Sequence, residues 1–182
     1  WSTTSVTRRE VSTCVAHALG LVPKQLRGGW HAGDEDETTA TLSLAVNLTG
    51  EEPELRLDLF AHLETAYDVL ALEASADQGE TWTPLAGRLE ARHQEPVEIP
   101  DGRITGWGRR AAWTGMFPLA DGESALAGEV QIRLTLTTDA STRGLGAWVD
   151  RIRVSEGRRE LLNTDRDADR ALVVADGWTR EG

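Results

Sequence analysis

A chain of 182 residues with 40% hydrophobic content has room for one large domain and a real core. No apolar run approaches the ~20 residues that span a bilayer, so membrane insertion is not expected. A formal net charge of −11 argues against nucleic acid as a partner, because phosphate binding needs clustered Lys and Arg, and the lone Cys14 excludes an internal disulfide or a Cys-based zinc site.

The first strand signal lies at 11–18, where Val11-Ser-Thr-Cys-Val-Ala-His17 holds Cys14 as a small buried hydrophobe. Period-two alternation then takes over. Leu42, Leu44, Val46 and Leu48 share one parity, and Leu55, Leu57, Leu59 and Leu63 share another. Val130, Ile132, Leu134 and Leu136 alternate with Gln131, Arg133 and Thr135. Such alternation marks strands with one buried and one wet face. Turn residues separate the runs, as at Asn47-Leu-Thr-Gly50, Asp77-Gln-Gly79, Pro100-Asp-Gly102, Asp121-Gly122 and Gly144-Leu-Gly146.

Strands are therefore expected near 11–18, 39–48, 54–63, 68–75, 81–85, 113–119, 129–138, 146–155 and 171–178. Glu64-Thr-Ala-Tyr-Asp68 reads as a short helical turn. The Gly-, Pro- and charge-rich stretch 87–112 reads as a long surface loop. Many strands without a long helix predict an all-β fold, a jelly-roll β-sandwich of two antiparallel sheets. One domain over 1–182 is expected, with N-terminal strands at 1–29, a central part at 30–155, and an acidic loop and last strand at 156–182. The start at Trp1, without an initiator Met, reads as a processed product or an excised fragment.

The sharpest local motif is Ser75-Ala-Asp77-Gln-Gly79-Glu-Thr81-Trp82. Asp77 can accept hydrogen bonds from the turn's own backbone, Gly79 can take positive φ, and Trp82 can pack back over the turn. The pattern is similar to the Asp-box of sialidases, where it repeats once per propeller blade. Here it occurs once, so it reads as a structural hairpin.

The wider order of motifs carries a second resemblance. Trp30 opens a Gly- and acid-rich stretch, followed by Ala40-Thr-Leu-Ser-Leu-Ala-Val-Asn-Leu-Thr-Gly50, Leu55-Arg-Leu-Asp-Leu-Phe60 and Ala66-Tyr-Asp-Val-Leu-Ala-Leu-Glu-Ala-Ser75. Val130-Gln-Ile-Arg-Leu-Thr-Leu-Thr-Thr-Asp139 then precedes Gly146-Ala-Trp-Val-Asp150 and Ile152-Arg-Val154. Over residues 30–155 this resembles the MAM-like β-sandwich of immune inhibitor A metallopeptidases and other secreted bacterial proteins. The resemblance implies a secreted or cell-surface accessory domain outside a catalytic unit, often with bound calcium. Arg151 departs from the pattern, which has a second acidic residue after Asp150.

Nothing selects a catalytic constellation. His-Glu-x-x-His and Gly-x-Ser-x-Gly are absent, and His17, His31, His62 and His93 are scattered. Gly106-Trp-Gly108-Arg-Arg-Ala111 mimics a dinucleotide fingerprint, but no βαβ unit surrounds it. The chain is read as non-catalytic.

Three acidic features are candidate calcium ligands. Strict alternation puts Asp150 on the face of Ile152 and Val154, where it needs a metal, an Arg partner, or a bulge that turns it outward. Asp165, Asp167, Asp169 and Asp176 take positions one, three, five and twelve of a calcium-type loop, against a solvated acidic turn as the alternative. Asp34, within Asp34-Glu-Asp-Glu37, could lend a ligand near Asp150, or lie in a solvated loop.

Seven Trp against one Tyr and two Phe suggest stacking platforms for sugars, or core anchors. Trp107 and Trp113 are the expected exposed pair. Three roles follow: an accessory or docking module, a carbohydrate-binding module, or a structural surface-layer or adhesion module. The expected partners are a protein or a glycan at the cell surface.

Overall fold

The computed structural model describes residues 23, 26, 28–33, 35–106, 112–141 and 144–180. The expected strand at 11–18 lies outside them. Sixteen strands and one helical turn make up the described elements. They are β1 (Trp30–Ala32), β2 (Thr39–Leu48), β3 (Pro53–His62), β4 (Val69–Ser75), β5 (Thr83–Pro84), β6 (Gly87–Glu90), β7 (Val97–Ile99) and β8 (Arg103–Ile104). There follow β9 (Trp113–Pro118), β10 (Ala120–Asp121), β11 (Ser124–Ala125), β12 (Gly128–Thr137), β13 (Gly146–Glu156), β14 (Arg159–Asn163), α1 (Asp167–Arg170), β15 (Val174–Asp176) and β16 (Thr179–Arg180).

The strands form a β-sandwich of two antiparallel sheets. The larger runs β16-β1-β13-β3-β9-β6-β7, with β14 continuing the β1 side of β13. The smaller runs β15-β2-β12-β4-β5, with β8 also on β4. β10 and β11 form a separate hairpin. The long strands β2, β3, β4, β9, β12 and β13 alternate between the two sheets along the chain.

Alternating apolar positions explain the packing. Leu42, Leu44, Val130, Ile132, Leu70 and Leu72 point inward from the smaller sheet, and Leu55, Leu57, Leu59, Phe117 and Val154 from the larger. They form one continuous core. Burying a side chain of this size contributes about 1.5–3 kcal/mol. The Leu63 parity holds too, since Leu63 is fully buried just beyond β3.

Two expectations are corrected. The stretch 87–112 is not one long loop, because β6 and β7 extend the larger sheet and β8 joins the smaller. Its Gly and Pro residues punctuate strands of two to four residues, too short to show alternation. The final strand at 171–178 is divided. β15 pairs with β2 in the smaller sheet, and after Gly177 (φ +72) β16 pairs with β1 in the larger.

The Asp77 hairpin forms as its residue types require. Asp77 accepts hydrogen bonds from Thr81 N–H (2.9 Å) and Thr81 hydroxyl (2.5 Å), and Gly79 takes φ +90. Trp82 Nε1 donates back to the Gly79 carbonyl at 3.1 Å. The bonds from Thr81, with help from Ser75, hold the Asp77 carboxyl down to about 2.

Candidate functional site

Asp150 does not share the face of Ile152 and Val154. Asp150 pairs with Asp58 and Arg153 with Arg56, so Arg151 and Ile152 together oppose the single residue Leu57. This is a β-bulge, and Arg151 takes φ +48 to make it. The extra residue reverses the parity. Ala147 and Val149 face the core before it, and Ile152 and Val154 after it. Asp150 therefore lies with Trp148 on the outer face of the larger sheet, half-buried.

There the Arg151 guanidinium pairs with Asp58, which also accepts a hydrogen bond from the Thr114 hydroxyl at 2.9 Å. Asp150 Oδ1 accepts from the Arg151 backbone N–H at 2.8 Å. Burial pushes the Asp150 carboxyl up, against the Arg151 backbone bond and charge, and Asp165 and Asp58 add to the rise. A cation thus stands where the resemblance would place another acid.

The same outer face carries a second apolar cluster of Leu26, Phe60 and Trp148. His31 stacks on Trp148 with ring centroids 3.9 Å apart, and its Nε2 bonds the Leu145 carbonyl at 2.8 Å. His62 Nδ1 accepts from the Leu145 N–H at 3.0 Å. Two imidazoles, from the strands on either side of β13, therefore fix one loop residue. Burial lowers the His62 pKa, against its own backbone bond.

The C-terminal carboxylates do not curl round one point. Asp165 pairs with Arg153, Asp167 with Arg170 and Asp169 with Arg166, while Asp176 stands on β15 opposite Thr41 in the other sheet. Among the described residues, no three His, Cys, Asp or Glu side chains converge as a metal site would require. Asp34 lies outside the described residues. Asp165, Asp167 and Asp169 are each answered by a guanidinium.

Trp107 also lies outside the described residues. Trp113 is not exposed: at 7% accessibility it belongs to the main core, because it opens β9 on the inward parity shared with Gly115 and Phe117. Trp30 and Trp148 are buried.

The feature that sequence reasoning missed is the outer face of the smaller sheet. Strand register lays its side chains in rows. One row reads Asp176, Thr41, Thr135, Ala71 and Arg103 across five strands. The next reads Val174, Ser43, Arg133, Glu73 and Pro84. The short Thr41, Thr135 and Ala71 of the first row, beside the longer Arg133 and Glu73 of the next, leave an open trough of about 440 Å³. Tyr67, 64% exposed, stands at one end.

The Arg133 and Glu73 side chains hold each other in place. Arg133 Nε donates to Glu73 at 2.8 Å, and its guanidinium lies 3.8 Å from the Trp82 ring centroid. The Asp77 hairpin, which positions Trp82, thus serves the trough. Tyr67 sits on a braced turn. Asp68, buried beside it, accepts from Glu64 N–H (3.0 Å) and Asp139 N–H (3.1 Å). Thr105 Oγ1 accepts from Ala66 N–H at 2.8 Å and donates to the Glu64 carbonyl at 3.2 Å. The sequence signal was the wet parity of β2 and β12, where Thr39, Thr41, Thr135 and Thr137 recur.

No protein-family model matches the chain, and a search of curated proteins finds no match either.

Proposed function

We propose that the chain is a non-catalytic accessory module of a secreted or cell-surface bacterial protein, and that it works by binding through the open face of its smaller sheet. The observation that carries this reading is the trough. It is a concave surface of ligand-site size with polar groups held in place from below and from the sides. The outer face of the larger sheet is occupied differently, with Leu26, Phe60 and Trp148 packed together and Arg151 closed on Asp58. The MAM-like resemblance supports the same accessory role beside a catalytic neighbour.

Hydrogen–deuterium exchange tests this directly. The chain is compared alone, with purified envelope polymers, and joined to the protein segments encoded beside it. Slowed exchange in β2, β12 and β4 is expected. Slowing confined to the larger sheet, or turnover of an envelope polymer by the chain alone, overturns the reading.

A further inference from the structure

Resting on the trough as the binding face, we infer that its ligand is a neutral oligosaccharide segment of a surface glycan. Three observations select that chemistry.

The first is the lining. Thr39, Thr41, Thr135 and Thr137 line it with hydroxyls that both donate and accept. The Arg133–Glu73 pair adds fixed donors beside fixed acceptors on adjacent strands. Neighbouring hydroxyls of a sugar need that combination. An apolar ligand would leave these groups desolvated without partners.

The second is the platform. Tyr67 is the most exposed aromatic side chain among the described residues that line the trough, and its turn is braced by Asp68 and Thr105. An exposed ring on a braced turn at the end of a polar trough offers a flat apolar face to a pyranose and keeps its hydroxyl wet. No ordering cost falls on the turn when a ligand arrives.

The third is charge. Arg133 is neutralised by Glu73 within the trough, and Arg103 adds one further positive charge at its edge. One further guanidinium on a chain of net charge −11 is a weak attraction for a polyanion, which needs clustered cations. It equally gives no gain to a polycation at its centre.

The test is titration of the whole chain with neutral hexasaccharides (gluco-, xylo- and manno-configured) and, separately, with polygalacturonate. Binding is read by calorimetry and by amide NMR shifts. The expected result is saturable binding of at least one neutral hexasaccharide, with shifts at Thr41, Ala71 and Thr135. Tyr67→Ala should weaken it about tenfold, Tyr67→Phe should not, and Arg133→Gln should weaken it comparably, all without loss of the folded spectrum. Tighter binding of polygalacturonate, shifts that avoid the three strands, or no binding across the neutral panel overturns the glycan. Protection of the same strands by a protein partner, with no sugar bound, overturns the glycan while leaving the binding face standing.

Discussion

Asp150 and Asp58 stand directly opposite each other between β13 and β3, and the Arg151 guanidinium, one residue on, closes on Asp58 alone. Like charges so placed destabilise a sheet. Asp150 accepts from the Arg151 backbone N–H, and its carboxyl is raised by burial first and by its acidic neighbours after, against that bond and the Arg151 charge. A raised carboxyl contributes stability that is full below the unfolded value, about 3.9, and is lost as pH rises through the folded value. At neutral pH the charge is therefore a penalty. Asp150→Asn, which keeps an oxygen for the Arg151 N–H, should raise the melting midpoint at pH 7, with the gain fading below about pH 4. A lowered midpoint in calcium, absent in chelator, would instead make Asp150 a metal ligand.

Calcium itself gives a separate prediction. Because the acids of the C-terminal turn are held by Arg153, Arg166 and Arg170, melts in excess calcium and in chelator should coincide. A ligand at ~100 times its dissociation constant adds ~2.7 kcal/mol, which a melt would register as several degrees. A shift of that size, abolished by Asp165→Ala, would show that the turn rearranges round an ion.

Arg151 and Asp58 should be coupled. A double-mutant cycle with Arg151→Ala and Asp58→Asn is expected to give an interaction of about 1–2 kcal/mol, since the pair is partly exposed and charge-assisted. The single Arg151→Ala change should cost more than the double, because it leaves two carboxylates facing each other. Additive effects would remove the ion pair as the reason for an arginine at a positive φ.

Glu156 ends β13 buried beneath the β2–β3 turn. It accepts from Thr49 N–H, from Gly50 N–H at 2.9 Å and from the Thr49 hydroxyl at 3.0 Å. Burial alone would raise its carboxyl, but these bonds together outweigh it and hold the group below its ordinary value. Its stability is present above the unfolded value, about 4.3, and lost as pH falls through the folded one. Glu156→Gln should therefore melt several degrees lower at pH 7 and approach the parent on acidification. A difference independent of pH would show that only packing is lost.

His62 predicts an acid-sensitive loop. Its Nδ1 must be unprotonated to accept the Leu145 N–H, and burial lowers its pKa. The stability it contributes is full above about 6.5 and falls as pH drops through its lowered value. Exchange of the Leu145 amide, corrected for intrinsic rate, should accelerate over that window. His62→Gln, whose oxygen can accept the same bond, should abolish the acceleration. A parent amide insensitive to pH would sink the idea.

Alternation in single strands was enough to read β2, β3, β4, β12 and β13, and turn chemistry was enough for the Asp77 hairpin. Both are local signals. A bulge turning Asp150 outward was one of three alternatives at that position, but the sequence did not select it, because nothing in Trp148-Val-Asp-Arg-Ile-Arg-Val154 announces a residue at positive φ. Arginine is not a left-handed residue by preference, and only the partner strand reveals that two residues oppose one. The trough escaped for a related reason. Each wet parity is visible in its own strand, but the row from Asp176 to Arg103 exists only once strand order is known. The expected Trp113 platform failed because a ring at a loop's edge and a ring at a strand's first inward position look alike in one dimension.

The divided last strand bears on how such a chain matures. Residues 174–176 complete one flank of the smaller sheet beside β2, and residues 179–180 complete the larger beside β1. Both partners lie well over a hundred residues earlier. A chain that emerges amino-end first, from a ribosome or through a translocation pore, exposes two raw strand edges until residues 174–180 appear. Closure of such distant pairs is slow, and open edges invite pairing with other chains. Folding delayed until residues 174–180 are available would spare this protein that hazard.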